Sequence, residues 1–154
     1  MDGSADNGGT LMSRIVVGID SSPHARRALE WALDEARIRG ATLEMVHAYP
    51  TPEVTAMPAI VTLPSDAELR AAGAETLQAV LDDVGGPGDV EVVLRTEPGG
   101  AAWVLTSVAE GADMLVLGAR GLGGFRGLLL GSVSQQSVAH SPCPVVIIPP
   151  SKDD

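Results

Sequence analysis

The sequence predicts one α/β domain, with a largely parallel sheet between layers of helices. Three observations carry this. Short β-branched apolar runs recur from Arg14 onward. Stretches with helical periodicity or helix-start chemistry separate them. No internal repeat or break in composition divides the 154 residues. The resulting β-α-β-α-β-α-β-α-β pattern favours parallel pairing, because each strand returns through a helix. In such sheets ligands bind outside the carboxyl ends of the strands, where strand order reverses.

Each element has its own signature. RIVVGID (Arg14 to Asp20) is a short β-branched run ending at a turn. In SSPHARRALEWALDEARIRG, Ser21 or Ser22 can cap a helix, Pro23 suits its first turn and Gly40 suits its stop. Ala25, Ala28, Leu29, Ala32, Leu33 and Ala36 form the apolar stripe of that helix. ATLEMVHAY (Ala41 to Tyr49) reads as the second strand. The proline-rich segment from Pro50 to Pro64 has no period and reads as a long loop, a candidate lid or partner surface. Ser65 opens a second helix that stops at glycines. Asp89 to Glu97 reads as the third strand, a third helix starts near Gly99, and Asp113 to Ala119 is the fourth strand. A last helix starts near Ser132, and CPVVIIPP supplies the fifth strand. The domain is expected over residues 14–150, between a disordered N-terminal tail (1–13) and a short C-terminal tail (151–154).

Composition narrows the function. Hydrophobic residues make up 45% and aromatics only 3%, so Ala, Val, Leu and Ile must build the core. A formal net charge of −10 argues against nonspecific binding to nucleic acid, which needs basic surface. An anionic ligand would then require a local site with its own donors. Cys143 is the single cysteine and lies beside an apolar run. It is expected to be a buried small hydrophobe, a usage that suits a reducing cytoplasm. The N-terminus has neither the cationic nor the apolar region of a signal peptide, and no segment reaches the ~18 apolar residues of a membrane span.

The stretch GARGLGGFRGLLLGSVSQQ (Gly118 to Gln136) places glycines between an apolar strand and a helix start. It is not a Walker A loop, because Gly131 is followed by Ser132 with no lysine. It is not a dinucleotide fingerprint either, because Arg126 stands where the third glycine belongs. Glycine nonetheless lets the backbone take positive φ and approach a ligand closely. Unpaired N–H groups around Ser132 to Ser134 would attract phosphate oxygens. Arg120 and Arg126 could add local positive charge. Two alternatives stay open at this point. Ser132 with Gln135 could form a capping box, and the glycines could serve only a flexible connection.

The spacing Gly118-x2-Gly121-x9-Gly131-Ser132 resembles the Gly-x2-Gly-x9-Gly-Ser/Thr signature of ATP-binding universal stress proteins. IVVGIDSS, LGSV and CPVVIIP resemble that family's first strand, last helix start and last strand, so the likeness covers roughly Ser13 to Pro149. The resemblance implies a five-stranded parallel sheet of order 3-2-1-4-5, which brings Asp20 and Gly118 to one crevice. It implies that Asp20 contacts the adenosine part and that Gly18 and Ile19 stand at the rim. Ala48 meets adenine through its backbone, and Leu117 gives apolar contact. Gly118 and Gly121 let the backbone approach ribose and phosphates. Gly131, Ser132 and Val133 supply N–H donors, and Ser132 also a hydroxyl. Arg120 and Arg126 are not fixed by the signature and are candidates for phosphate contact. Gly18 departs from relatives that carry proline there.

Asp20 also suits an N-cap of the first helix, and is the one carboxylate placed to hold Mg²⁺ bridged to phosphates. His47 reads as a core or supporting residue, and His24 and His140 as surface helix residues. No His/Cys group has metal-ligand spacing. With no evident water-positioning group, binding is favoured over catalysis, with at most slow ATP hydrolysis; AMP or cyclic AMP is an alternative ligand. The family likeness also implies a cytoplasmic homodimer joined through the last strand, Val145 to Ile148, an apolar edge bracketed by prolines.

Overall fold

A computed structural model describes residues 13–51, 62–121 and 129–153. The expected N-terminal tail (except Ser13), most of the Pro50–Pro64 loop, Gly123, Gly124, Arg126 and Gly127 lie outside the described residues. The strands are β1 (Arg14–Gly18), β2 (Thr42–Tyr49), β3 (Val92–Pro98), β4 (Met114–Gly118) and β5 (Val145–Ile148). The helices are α1 (Pro23–Arg39), α2 (Asp66–Asp83), α3 (Ala101–Val108) and α4 (Ser132–His140). All strand pairs are parallel and the order is β3-β2-β1-β4-β5. The chain thus runs outward from β1 in one direction, then returns to its other side through β4. That reversal puts the switch point between β1 and β4.

Alternation along the central strands builds two cores. Ile15, Val17, Leu43, Met45 and Val116 join the α1 and α2 layer. Val16, Val46, Leu115 and Leu117 join Val104, Leu105 and Val108 of α3 on the other face. The expected stripe of α1 is its buried face, residue for residue. Its alanines at 28 and 32 are fully buried and let the helix approach the sheet closely, which suits a core poor in aromatics. Gly40 ends the helix in the left-handed conformation (φ 62°), where glycine carries no Cβ penalty.

Several expectations need correction. β3 starts at Val92 rather than Asp89, because the chain is still turning there, with Val90 N donating to Pro87 O at 3.1 Å, and the Asp89 carboxylate accepts from Arg37 at 2.9 Å. That pairing holds Asp89 below the usual carboxylate range, with its own backbone hydrogen bond adding to the effect. Ser132 is not a cap. Gly131 is the N-cap of α4, and Gln135 Nε2 donates to Leu130 O instead of closing a box. Asp20 is not the cap of α1 either; Ser22 holds that position. His24 and Cys143 are half-buried rather than surface and core respectively, whereas His140 is exposed. Glu44 is the unexpected buried charge. It accepts from Arg14 at 2.6 Å and Arg95 at 3.1 Å, so guanidinium groups from β1 and β3 offset its burial.

Candidate functional site

Three helices begin at the carboxyl end of the sheet around the switch point. A cleft of about 390 Å³ opens there, within the size range of small-molecule sites. Every described residue that the sequence singled out for binding lines it. Gly18, Ile19 and Asp20 come from the end of β1, Ala48 from β2, Leu117, Gly118, Arg120 and Gly121 from β4 and its turn, and Gly131, Ser132 and Val133 from the start of α4. Sequence reasoning missed Ser22, Ala25, Val46, Ala101 and Leu105, which line it too; Ser134, expected only through its N–H at the helix start, is a further lining residue. Leu105, Leu117 and Val46 give one end an apolar wall. Arg120 and the α4 start make the other end polar.

The helix caps differ with their position. α2 begins away from the cleft and has a complete capping box, with Ser65 accepting from Glu68 N and Glu68 accepting from Ser65 N. The Ser65 N–H, and the Ser65 hydroxyl donating to the same carboxylate at 2.8 Å, hold the Glu68 carboxyl below its ordinary range. Asp66 adds a second acidic group to that first turn. α1, α3 and α4 have no acidic residue in the first turn and no cap bond from the N-cap side chain; for α3 and α4 the cap is glycine. All three starts carry the positive end of the helix dipole, and at α3 and α4 the first N–H groups have no intrahelical acceptor, whereas at α1 Pro23 has no N–H and Ala25 N donates to Ser22 O at 3.2 Å. Ser22 and Ala25, Ala101, and Ser132 to Ser134 bring these ends to the cleft. At α1 the Asp20 carboxylate supplies part of the missing acceptor, taking Ser22 N at 2.8 Å.

Charge adds to this field. Arg14, Arg26, Arg37, Arg39, Arg70 and Arg95 are each ion-paired. Arg120, which lines the cleft, has no ion pair among the described residues. Within a chain of net charge −10, this corner offers bare N–H donors and an uncommitted guanidinium. His47 supports the facing wall. Its Nδ1 lies 2.9 Å from Ile19 O, and since a carbonyl only accepts, Nδ1 carries the proton.

The glycines of the signature have different causes. None of Gly18, Gly118, Gly121 and Gly131 takes the left-handed conformation, so positive φ does not explain them. A Cβ at Gly118 would stand 3.1 Å from His24 Cβ and His24 O, so a side chain there would push against α1 by a few tenths of an ångström. At Gly121 it would stand 2.7 Å from Asp20 Oδ2, and at Gly18 2.6 Å from Leu117 Cδ2. At Gly131 the nearest atoms are 3.6–3.7 Å away and the backbone is extended (φ −74°, ψ 173°). Among the described residues nothing demands glycine at 131.

Among the described residues no group of three His, Cys, Asp or Glu side chains could hold a metal ion. Among the described residues Asp20 is the one carboxylate lining the cleft.

The universal stress protein pattern matches residues 12–149. The chain belongs to the universal stress protein family. It is 36% identical over 140 residues to a universal stress protein of Thermus aquaticus encoded in the QAH/OAS sulfhydrylase 3′ region, covering 90% of this chain and 99% of that protein. It is 35% identical over 149 residues to universal stress protein Rv2623 of Mycobacterium tuberculosis, covering 87% of this chain and 46% of that protein. The chain thus spans about half the length of that mycobacterial relative. A universal stress protein crystallised in complex with cAMP superposes with TM-score 0.68 at 27% identity, over 91% of this chain and 98% of its own. The Archaeoglobus fulgidus protein in complex with dAMP gives TM-score 0.63 at 25% identity, over 90% and 98%. No described helix is long and apolar enough to cross a membrane.

Proposed function

We propose that this chain is an adenine-nucleotide-binding stress regulator whose cleft takes ATP. Gly131 carries the reading. It sits at the uncapped start of α4, in an ordinary backbone conformation with room for a side chain, yet has none. A phosphate drawn against the N–H groups of Ser132 and Val133 is the physical reason for keeping that space empty. Adenine then lies toward Ala48, Leu105 and Leu117, past the rim at Gly18 and Ile19. Asp20 meets the ribose or adenine edge. Gly118 and Gly121 pass beside the sugar and first phosphates. Arg120 and the Ser132 hydroxyl face the outer phosphates. Mg²⁺, when present, bridges those phosphates and Asp20, since one or two carboxylates with phosphates and water suffice for it.

The relatives solved with cAMP and dAMP support an adenine nucleotide as the ligand class. The cAMP complex also favours a second reading, a sensor of cyclic AMP. ATP is preferred because three helix starts and a free guanidinium suit more charge than one phosphodiester carries. Binding, with at most slow hydrolysis, is the proposed activity in the cytoplasm. A homodimer joined across β5 is the proposed assembly, because β5 is an edge strand whose Val145, Val146 and Ile147 stay only half-buried.

Calorimetric titration with ATP, ADP, AMP and cyclic AMP, with and without Mg²⁺, tests the ligand. ATP should bind most tightly to the native chain. Gly131→Val should fold normally and lose at least about tenfold in ATP affinity, or 1.4 kcal/mol. Equal affinity in both proteins would remove Gly131 from the site. Tighter binding of cyclic AMP than ATP would decide for the second reading.

A further inference from the structure

Ser134 belongs to no part of the signature, yet its side chain ties the start of α4 to the end of β4. Only 4% of it is exposed. Its hydroxyl donates to Gly118 O at 2.9 Å, with Ala119 O at 3.1 Å sharing the same proton. These carbonyls lead directly into Arg120 and Gly121. One turn earlier, Gly131 N donates to the same Ala119 O at 2.8 Å. The first turn of α4 is thereby held to the end of β4 at two adjacent peptides, although the covalent route between them runs through residues 121–130.

We propose that Ser134 is a positioning residue that fixes the N–H groups of α4 relative to the Arg120–Gly121 turn, and thereby sets the affinity of the cleft for the phosphate end of its nucleotide. The inference rests on the nucleotide reading above. The base end draws on β2 and α3 besides Leu117, and Ser134 makes no bond to either of those elements. Loosening the latch therefore weakens phosphate binding selectively.

Ser137 provides the control. It lies one turn further along α4 and is fully buried, and its hydroxyl makes no hydrogen bond among the described residues. Ser137→Ala removes the same atom from the same helix without touching the latch.

Amide hydrogen exchange of the ligand-free protein, followed by NMR, reads the latch itself. In Ser134→Ala, exchange at Gly131 should quicken about five- to tenfold, the equivalent of one lost hydrogen bond. Exchange at Val116, in the centre of the sheet, should not change. Titration with ATP and with adenosine reads the consequence. Ser134→Ala should lose about five- to tenfold in ATP affinity and keep its adenosine affinity, while Ser137→Ala keeps both. Unchanged exchange at Gly131, or equal losses for ATP and adenosine, would overturn the inference. If the native chain binds no nucleotide, the proposed function falls and takes the affinity claim with it; exchange at Gly131 still decides whether the latch exists.

Discussion

At the scale of single residues, four glycines around one cleft separate into two kinds. At Gly18, Gly118 and Gly121 an added Cβ would press on the folded chain, at Gly121 only on the end of the Asp20 side chain, while at Gly131 no described residue stands that close. The two kinds predict opposite results for alanine. At Gly118 the new Cβ meets backbone as well as side chain of His24, so α1 or the end of β4 must shift by a few tenths of an ångström. Overpacking of that sort costs about 1–3 kcal/mol. For a domain of this length each 1 kcal/mol lowers the melting temperature by about 2–4 °C. Gly118→Ala should therefore melt measurably below the native protein. Gly131→Ala should stay within about 0.5 kcal/mol of it, as surface-like substitutions do. Thermal denaturation of both without ligand checks this. A Gly131→Ala variant that melts as early as Gly118→Ala would mean that the fold, and not a ligand, requires glycine there.

At the scale of elements, capping divides the helices by where they start. The stability that α2 takes from Ser65, Asp66 and Glu68 is forgone by the helices that open on the cleft. Adding the missing acid should reveal the exchange. An aspartate at position 132 would complement the dipole of α4 by about 0.3–1 kcal/mol, and would repel phosphate at the same place. Ser132→Asp should melt at or above the native temperature without ligand, yet bind ATP at least about tenfold more weakly. Loss of binding together with loss of stability would show damage to the fold instead. Much of this architecture was legible in the sequence. The five apolar runs, the stripe of α1 and the Gly-x2-Gly-x9-Gly-Ser spacing each depend on local periodicity or spacing, which the chain states directly. Ser22, Ala25, Ala101 and Leu105 were missed because they line the cleft only once the starts of α1 and α3 are packed beside the ends of the strands, which periodicity does not encode. One signal was present and unused: Gly99 and Gly100 stand before α3 much as Gly131 stands before α4. The Ser132–Gln135 box stayed open as an alternative because Ser-x-x-Gln fits equally well one residue inside a helix whose true cap is glycine. Glu44 was hidden because its partners, Arg14 and Arg95, lie on other strands.

At the scale of the whole molecule, the two edges of the sheet differ. β3 is seven residues long, whereas β5 has four and stands between Pro144 and Pro149. In a parallel ladder a residue directs its N–H and C=O to the same neighbour. Leu115 N donates to Pro144 O and Ala119 N to Ile148 O, so Pro144, Val146 and Ile148 turn toward β4. Val145 and Ile147 therefore turn their backbone groups to the outer edge. If a second copy adds its strand there, those outward donors hold the dimer and the inward ladder plays no part. Ile147→Pro removes one outward N–H, and proline is tolerated at a sheet edge because no ladder bond within the chain is lost. Ile147→Ala removes comparable packing and keeps the donor. Sedimentation equilibrium should give twice the mass of one chain for the native protein and for Ile147→Ala, the latter dissociating at higher concentration, and a monomer for Ile147→Pro. A proline variant that stays dimeric would move the interface away from β5. Equal dissociation of the alanine and proline variants would mean that side-chain packing, and not strand addition, joins the subunits.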